Sequence, residues 1–182
     1  LFRTVCHGDF RPFCKAMNIN SLGPETVDDY YRMGLISNAA DWYELKSLSL
    51  GGGLAEAKIL SSIEQSKQVP FERVLYAIGI RFVGEIAAKT LARYYGSMEK
   101  VAEASMESLM QINGIGEVIA NSVVQYFANP DNRAFVERLR GYGLQMEIGE
   151  QQRQAQSDKL NGQSVVISGV FQHYSRDEYK AL

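Results

Sequence analysis

The residues with the clearest chemical potential are Gly114 and Gly116, within Gln111-Ile112-Asn113-Gly114-Ile115-Gly116-Glu117. A helical stripe of Ile119, Ala120, Val123, Val124 and Phe127 follows them. Glycine lets the backbone take φ > 0 and approach another surface with no Cβ in the way. The amides of such a turn, with the unpaired N–H groups that open the next helix, make a small partial positive charge suited to a phosphate. The pattern is that of a helix-hairpin-helix. For a single copy, a plain αα-turn with glycine as a C-cap would serve as well.

The motif recurs. Gly84 lies 32 residues before Gly116, Gly53 another 31 before that, and Gly23 another 30 before that. Four residues after each glycine stand Val27, Ala57, Ala88 and Ala120; seven after stand Tyr30, Leu60, Leu91 and Val123. Copies of this length cannot each bury an apolar face alone, so the repeat implies stacked helical pairs sharing one core.

Backbone contact with successive phosphates of a duplex would give affinity without base readout. The candidate DNA-binding residues are Gly23 in the first hairpin, Gly51 and Gly53 in the second, Gly79, Arg81 and Gly84 in the third with Lys89 one turn beyond, and Asn113, Gly114 and Gly116 in the fourth. The net charge of −2 does not advertise a nucleic acid, so binding must come from a local face. One segment is basic: Lys58, Lys67, Arg73, Arg81, Lys89 and Arg93 against Glu64, Glu72 and Glu85. Residues 101–131 hold four carboxylates and no lysine or arginine, so the fourth hairpin offers only amides and its helix dipole. Each candidate also has a structural reading, with Arg81 capping a neighbouring helix, Lys89 on a wet face, and the fourth hairpin serving packing.

The inventory speaks against catalysis. There is no P-loop, no strand-borne G-x-G-x-x-G, no zinc-protease helix and no His–Cys dyad. Asp28, Asp29, Glu103 and Glu107 fall on solvent faces. No apolar run reaches about 18 residues, and the start lacks signal-peptide order, so a soluble, cytoplasmic chain with no membrane partner is expected. Cys6 and Cys14, the only two cysteines, are too far apart for a zinc knuckle, and His7 and Asp9 complete no such set.

These turns need helices on either side. Residues 1–15 read as an irregular, cut-down segment. Pro24 opens a helix to about Met33, and Asn38 caps a short one to Glu44 with Trp42 and Tyr43 inward. Further helices are expected over 55–66, from Pro70 through Ile78, over 85–95, after Gly116, and over 133–140 with Asn129 to Asn132 as turn and cap. Residues 149–159 read as a linker. The period then changes: 160–169 is a short β-branched strand, and Ser175 with Glu178 caps a helix to Leu182. The expected fold is mostly α, with four tandem helix-hairpin-helix motifs in a compact domain over 16–148, the linker, and a truncated α/β piece over 160–182.

Several stretches resemble bacterial NAD-dependent DNA ligases in the region after the catalytic core. They are Ala16-Met17-Asn18-Ile19, Leu22 to Val27, Ser62 to Lys67, Leu75 to Gly84 and Ile112 to Gly116. Gly162 to Gly169 and Ser175 to Glu178 look like the opening of that family's BRCT domain. The resemblance implies that the hairpins close around nicked double-stranded DNA. An upstream adenylation domain of the same chain would use NAD and magnesium to seal the nick. No Lys-x-Asp-Gly occurs here, so this stretch should bind DNA without ligating it, and needs no cofactor of its own. Cys6 and Cys14 do not match the family's four-cysteine finger, which speaks against zinc; Gly51-Gly52-Gly53-Leu54 replaces the family's usual charged second hairpin. The alternatives are a stand-alone helix-hairpin-helix repair module and a protein-interaction scaffold recruiting through the residues after Gly162.

Overall fold

Proline and glycine punctuate the chain into short helices. The computed structural model describes residues 10–20, 22–45 and 54–149, and its contacts divide the chain after Ile148. Within those residues the helices are α1 (Arg11–Ala16), α2 (Pro24–Arg32), a 3-10 turn (Ala39–Glu44), α3 (Leu54–Ser66), α4 (Phe71–Ala77), α5 (Glu85–Tyr95), α6 (Met98–Ala102), α7 (Met106–Met110), α8 (Glu117–Ala128) and α9 (Pro130–Gly141). The expected linker at 149–159 lies, apart from Gly149, outside the described residues, and the strand-and-helix piece at 160–182 lies wholly outside them. Among the described residues the one β feature is an isolated antiparallel bridge, Ser97 to Glu147. It is held by Met98 N–H to Met146 O and Ile148 N–H to Gly96 O, both at 2.8 Å. No described helix is long and apolar enough to cross a membrane.

One apolar core runs through these helices, with Phe13, Trp42, Phe71, Leu75, Leu91, Leu109 and Phe127 all buried. Helix α4 packs on α1 and α5, α8 on α6, α7 and α9. Rings knit distant segments: Phe13 of α1 meets Phe135 of α9 edge-on at 6.5 Å, and Tyr30 of α2 meets Trp42 at 5.6 Å. Such buried aromatics carry much of a small core's apolar area.

Local signals explain the starts. Asn38 makes a capping box with Asp41, and Ser97, Ser105 and Asn129 accept backbone N–H bonds at the heads of α6, α7 and α9. Helix α9 begins at Pro130, not at Arg133: Asn129 is the cap, Pro130 takes the first position where its missing N–H costs nothing, and Asn132 sits inside the helix, bonded to Tyr126 O at 2.9 Å. Among the described residues, 11–15 are helical rather than irregular, and Phe10, Phe13 and Cys14 are buried, so the packed unit includes residues before Ala16.

Two apolar stripes are rotated from expectation. On α8, Val124 is 37% exposed and Tyr126 is buried in its place. On α3, Ala57 is exposed and Leu60 only half-buried, while Ile59 and Ile63 face the core. The buried stripe of α3 thus stands seven and eleven residues after Gly52, not Gly53, matching Val123 and Phe127 relative to Gly116.

Candidate nucleic-acid interface

Two helix-turn-helix units recur with the same turn. Between α4 and α5, Val83 N–H donates to Ile80 O at 3.1 Å; between α7 and α8, Ile115 N–H donates to Ile112 O at 3.0 Å. In each turn the first and fourth residues are buried anchors, and the middle pair, Arg81-Phe82 or Asn113-Gly114, is exposed. The third position is left-handed in both, with φ 62° at Phe82 and 87° at Gly114. A closed four-residue turn of this kind needs φ > 0 there, which glycine meets without strain. Phe82 bears a cost of roughly 1–2 kcal/mol for the same shape.

Gly79 is also left-handed, at φ 73°, where the chain leaves α4. Asn18 holds the matching place after α1, at φ 56°, and its side chain accepts from Arg73 at 3.2 Å. Gly23 is the residue before α2, as Gly84 is before α5 and Gly116 before α8. Gly51 and Gly53 lie outside the described residues.

Gly23, Gly84 and Gly116 are exposed. Their φ values of −68°, −77° and −87° with extended ψ suit any residue. A Cβ built at Gly84 or Gly116 would meet nothing within 4 Å, and at Gly23 only the Thr26 hydroxyl at 3.9 Å. The fold does not require glycine at these positions. Nor does any side chain cap α2, α5 or α8, in contrast to α6, α7 and α9. The first backbone-to-backbone bonds of α5 and α8 come from Ala88 and Ala120. The amides of 85–87 and 117–119 therefore have no acceptor among the described residues. Such amides are the usual seat of an anion.

The charged candidates separate on inspection. The Arg81 guanidinium lies 4.4 Å from the centre of the Phe82 ring. Lys89 is exposed, as are Lys58 and Arg93, and none of the three forms an ion pair among the described residues. Arg73 is committed to the fold, donating to Ala16 O at 3.1 Å and pairing with Glu85 at 3.3 Å. Lys67 pairs with Glu64 at 2.6 Å. The basic segment thus has fewer available cations than its sequence suggests.

Cys14 is buried in the core, and Cys6, His7 and Asp9 lie outside the described residues. Among the described residues no group of three or more His, Cys, Asp or Glu is placed to hold a metal. Sequence reasoning passed over Phe82, Ile86 and Val118. Ile86 and Val118 each stand two residues after a hairpin glycine and are 84% and 60% exposed. Laying the third hairpin over the fourth, which puts Phe82 on Gly114, would have exposed the first of these.

A family model described as a helix-hairpin-helix motif matches residues 73–136, from within α4 to within α9. Over 173 residues, 92% of this chain, it is 53% identical to a DNA ligase of Phocaeicola vulgatus and 51% identical to one of Bacteroides fragilis. A DNA ligase of Porphyromonas gingivalis is 46% identical over 182 residues. Over most of its length the chain is similar to one region of bacterial DNA ligases. It spans 26% of the length of the first two relatives and 27% of the third, so it matches one region of a much longer ligase. The helix-hairpin-helix model covers the stretch where Gly84 and Gly116 open α5 and α8.

Proposed function

We propose that this chain is the duplex-gripping part of an NAD-dependent DNA ligase, holding nicked DNA through backbone amides at four tandem hairpins. The observation that carries the reading is the triad Gly23, Gly84 and Gly116: each heads a helix with no side-chain cap, and no contact among the described residues needs it to lack a side chain. The absence of a side chain at the head of each helix leaves its amides open to the close approach of a phosphate. Gly79 and Gly114 shape their turns, Asn113 and Arg81 stand at the tips, and Lys89 adds a charge-assisted contact one turn beyond Gly84. The second hairpin, with Gly51 and Gly53, completes the set.

In the whole enzyme, an upstream adenylation domain would supply the chemistry with NAD and magnesium. With no Lys-x-Asp-Gly in this chain, no residue here is assigned to either. Its own residues bind and orient the duplex, and the residues after Gly162 form the opening of a BRCT domain. The relatives' name, DNA ligase, and the helix-hairpin-helix match support this reading.

The test is titration of a fluorescently labelled nicked duplex with the chain between about 50 and 200 mM salt. Binding that weakens steeply with salt and ignores sequence is expected. No binding at the lowest salt, or binding indifferent to salt, rejects the proposal.

A further inference from the structure

Phe82 holds the left-handed conformation of its turn while its own side chain is left largely outside the core. Among the described residues two non-glycines have positive φ, Asn18 and Phe82. Asparagine tolerates that region, and Asn18 is further held by Arg73. Phe82 has neither support: its side chain is 54% exposed, and the group against its ring is the guanidinium of Arg81, 4.4 Å from the ring centre. The fourth hairpin makes the same turn with Gly114.

The surroundings of this ring are also unusual. Ile86 is 84% exposed in the first turn of α5, and Val118 is 60% exposed at the matching place on α8. Both sit beside amides that lack acceptors. A bare anion has no use for apolar side chains there, whereas a duplex offers a phosphate together with sugar and base surfaces a few ångströms away. Proteins that work in the minor groove insert apolar wedges such as phenylalanine between base steps and partly unstack them.

We infer that Phe82 is such a wedge, entering the minor groove beside the phosphate held at Gly84 while Ile86 rests on the adjoining sugar, and that it favours a nicked duplex over an intact one. The inference rests on the DNA-binding reading above. The preference follows from the cost of unstacking, which is least where the stack is already interrupted. Arg81, 4.4 Å from the ring centre, would place positive charge at the groove mouth.

The experiment compares the full 182-residue chain with Phe82→Gly on intact and nicked duplexes carrying 2-aminopurine at the steps flanking the nick. Glycine accepts the left-handed turn and removes only the ring, so thermal melting should not fall. The wild-type chain should raise 2-aminopurine fluorescence and prefer the nicked duplex. Phe82→Gly should lose both and bind the nicked duplex roughly tenfold more weakly, with an unchanged salt slope because no charge is removed. Equal affinity and equal preference in the variant overturn the wedge, as does weaker binding by the variant when the wild type produces no 2-aminopurine signal. A wild-type chain that binds no duplex sinks the DNA-binding reading itself, a result distinct from either.

Discussion

Arg138 of α9 reaches Asp41 of the 3-10 turn at 2.8 Å, joining positions 97 residues apart. The same guanidinium meets Glu44 at 2.8 Å and Asn38 at 3.2 Å, and the Tyr142 hydroxyl also donates to Glu44. Burial works to raise the pKa of Asp41, but Arg138, the amide and hydroxyl of Ser37 and the amide of Asn38 outweigh it, so the carboxyl titrates below its ordinary value. This cluster fastens the segment after α2 to the far end of the helical unit.

Replacing Arg138 with Met should cost about 1–2 kcal/mol at neutral pH, a charged hydrogen bond discounted because the arginine side chain is 37% exposed. A carboxyl whose folded pKa is depressed gives stability that is present above its unfolded value and lost as pH falls through the folded one. The gap between wild type and Arg138→Met should therefore be full above about pH 5 and shrink below about pH 4. Chemical denaturation over that range measures it; a gap that persists undiminished in acid shows that packing, not charge, is the source.

Gly84→Ala and Gly116→Ala should separate stability from binding. An added methyl meets nothing within 4 Å and needs no change of φ, so stability should drop by no more than about 1 kcal/mol, the preference for glycine over alanine before a helix. Affinity for nicked duplex should fall several-fold, because the methyl stands where a phosphate must come close. Retained affinity in both variants would remove these glycines from the interface.

Arg81→Ala and Lys89→Ala should each weaken binding to all sequences alike and lower the slope of log affinity against log salt by about one contact. Isothermal titration over a salt series reports it. If either variant changes melting instead of binding, that side chain belongs to the fold.

Tyr126 on α8 donates to Ile78 O, the carbonyl ending α4, at 3.3 Å in a buried setting. Tyr126→Phe keeps the ring and strands that carbonyl, so it should cost about 1 kcal/mol, seen as a fall in melting temperature of about 2–4 °C. No shift would mean that the ring alone joins the two hairpins.

Much of this was legible in the sequence, and for a local reason. Most helix starts, though not those of α1 and α9, the turns at Gly79 and Gly114, the inward Trp42 and the exposed tips follow from neighbours within one or two turns, where capping chemistry and apolar period act directly. The tertiary structure decided what depends on distant partners. Arg73 looks like a binding cation until Ala16 and Glu85 claim it, and α3 turns Ile59 and Ile63 rather than Ala57 to the core. Tyr126 rather than Val124 is buried, and its hydroxyl donates to Ile78 O across 48 residues. Phe82 shows the division most plainly: its identity is written in the chain, but its left-handed backbone comes from a turn whose ends are anchored by the buried side chains of Ile80 and Val83. Spacing along a helix fixes an angle around its axis; which angle faces inward, and which charges are spent there, is settled only by what packs against it.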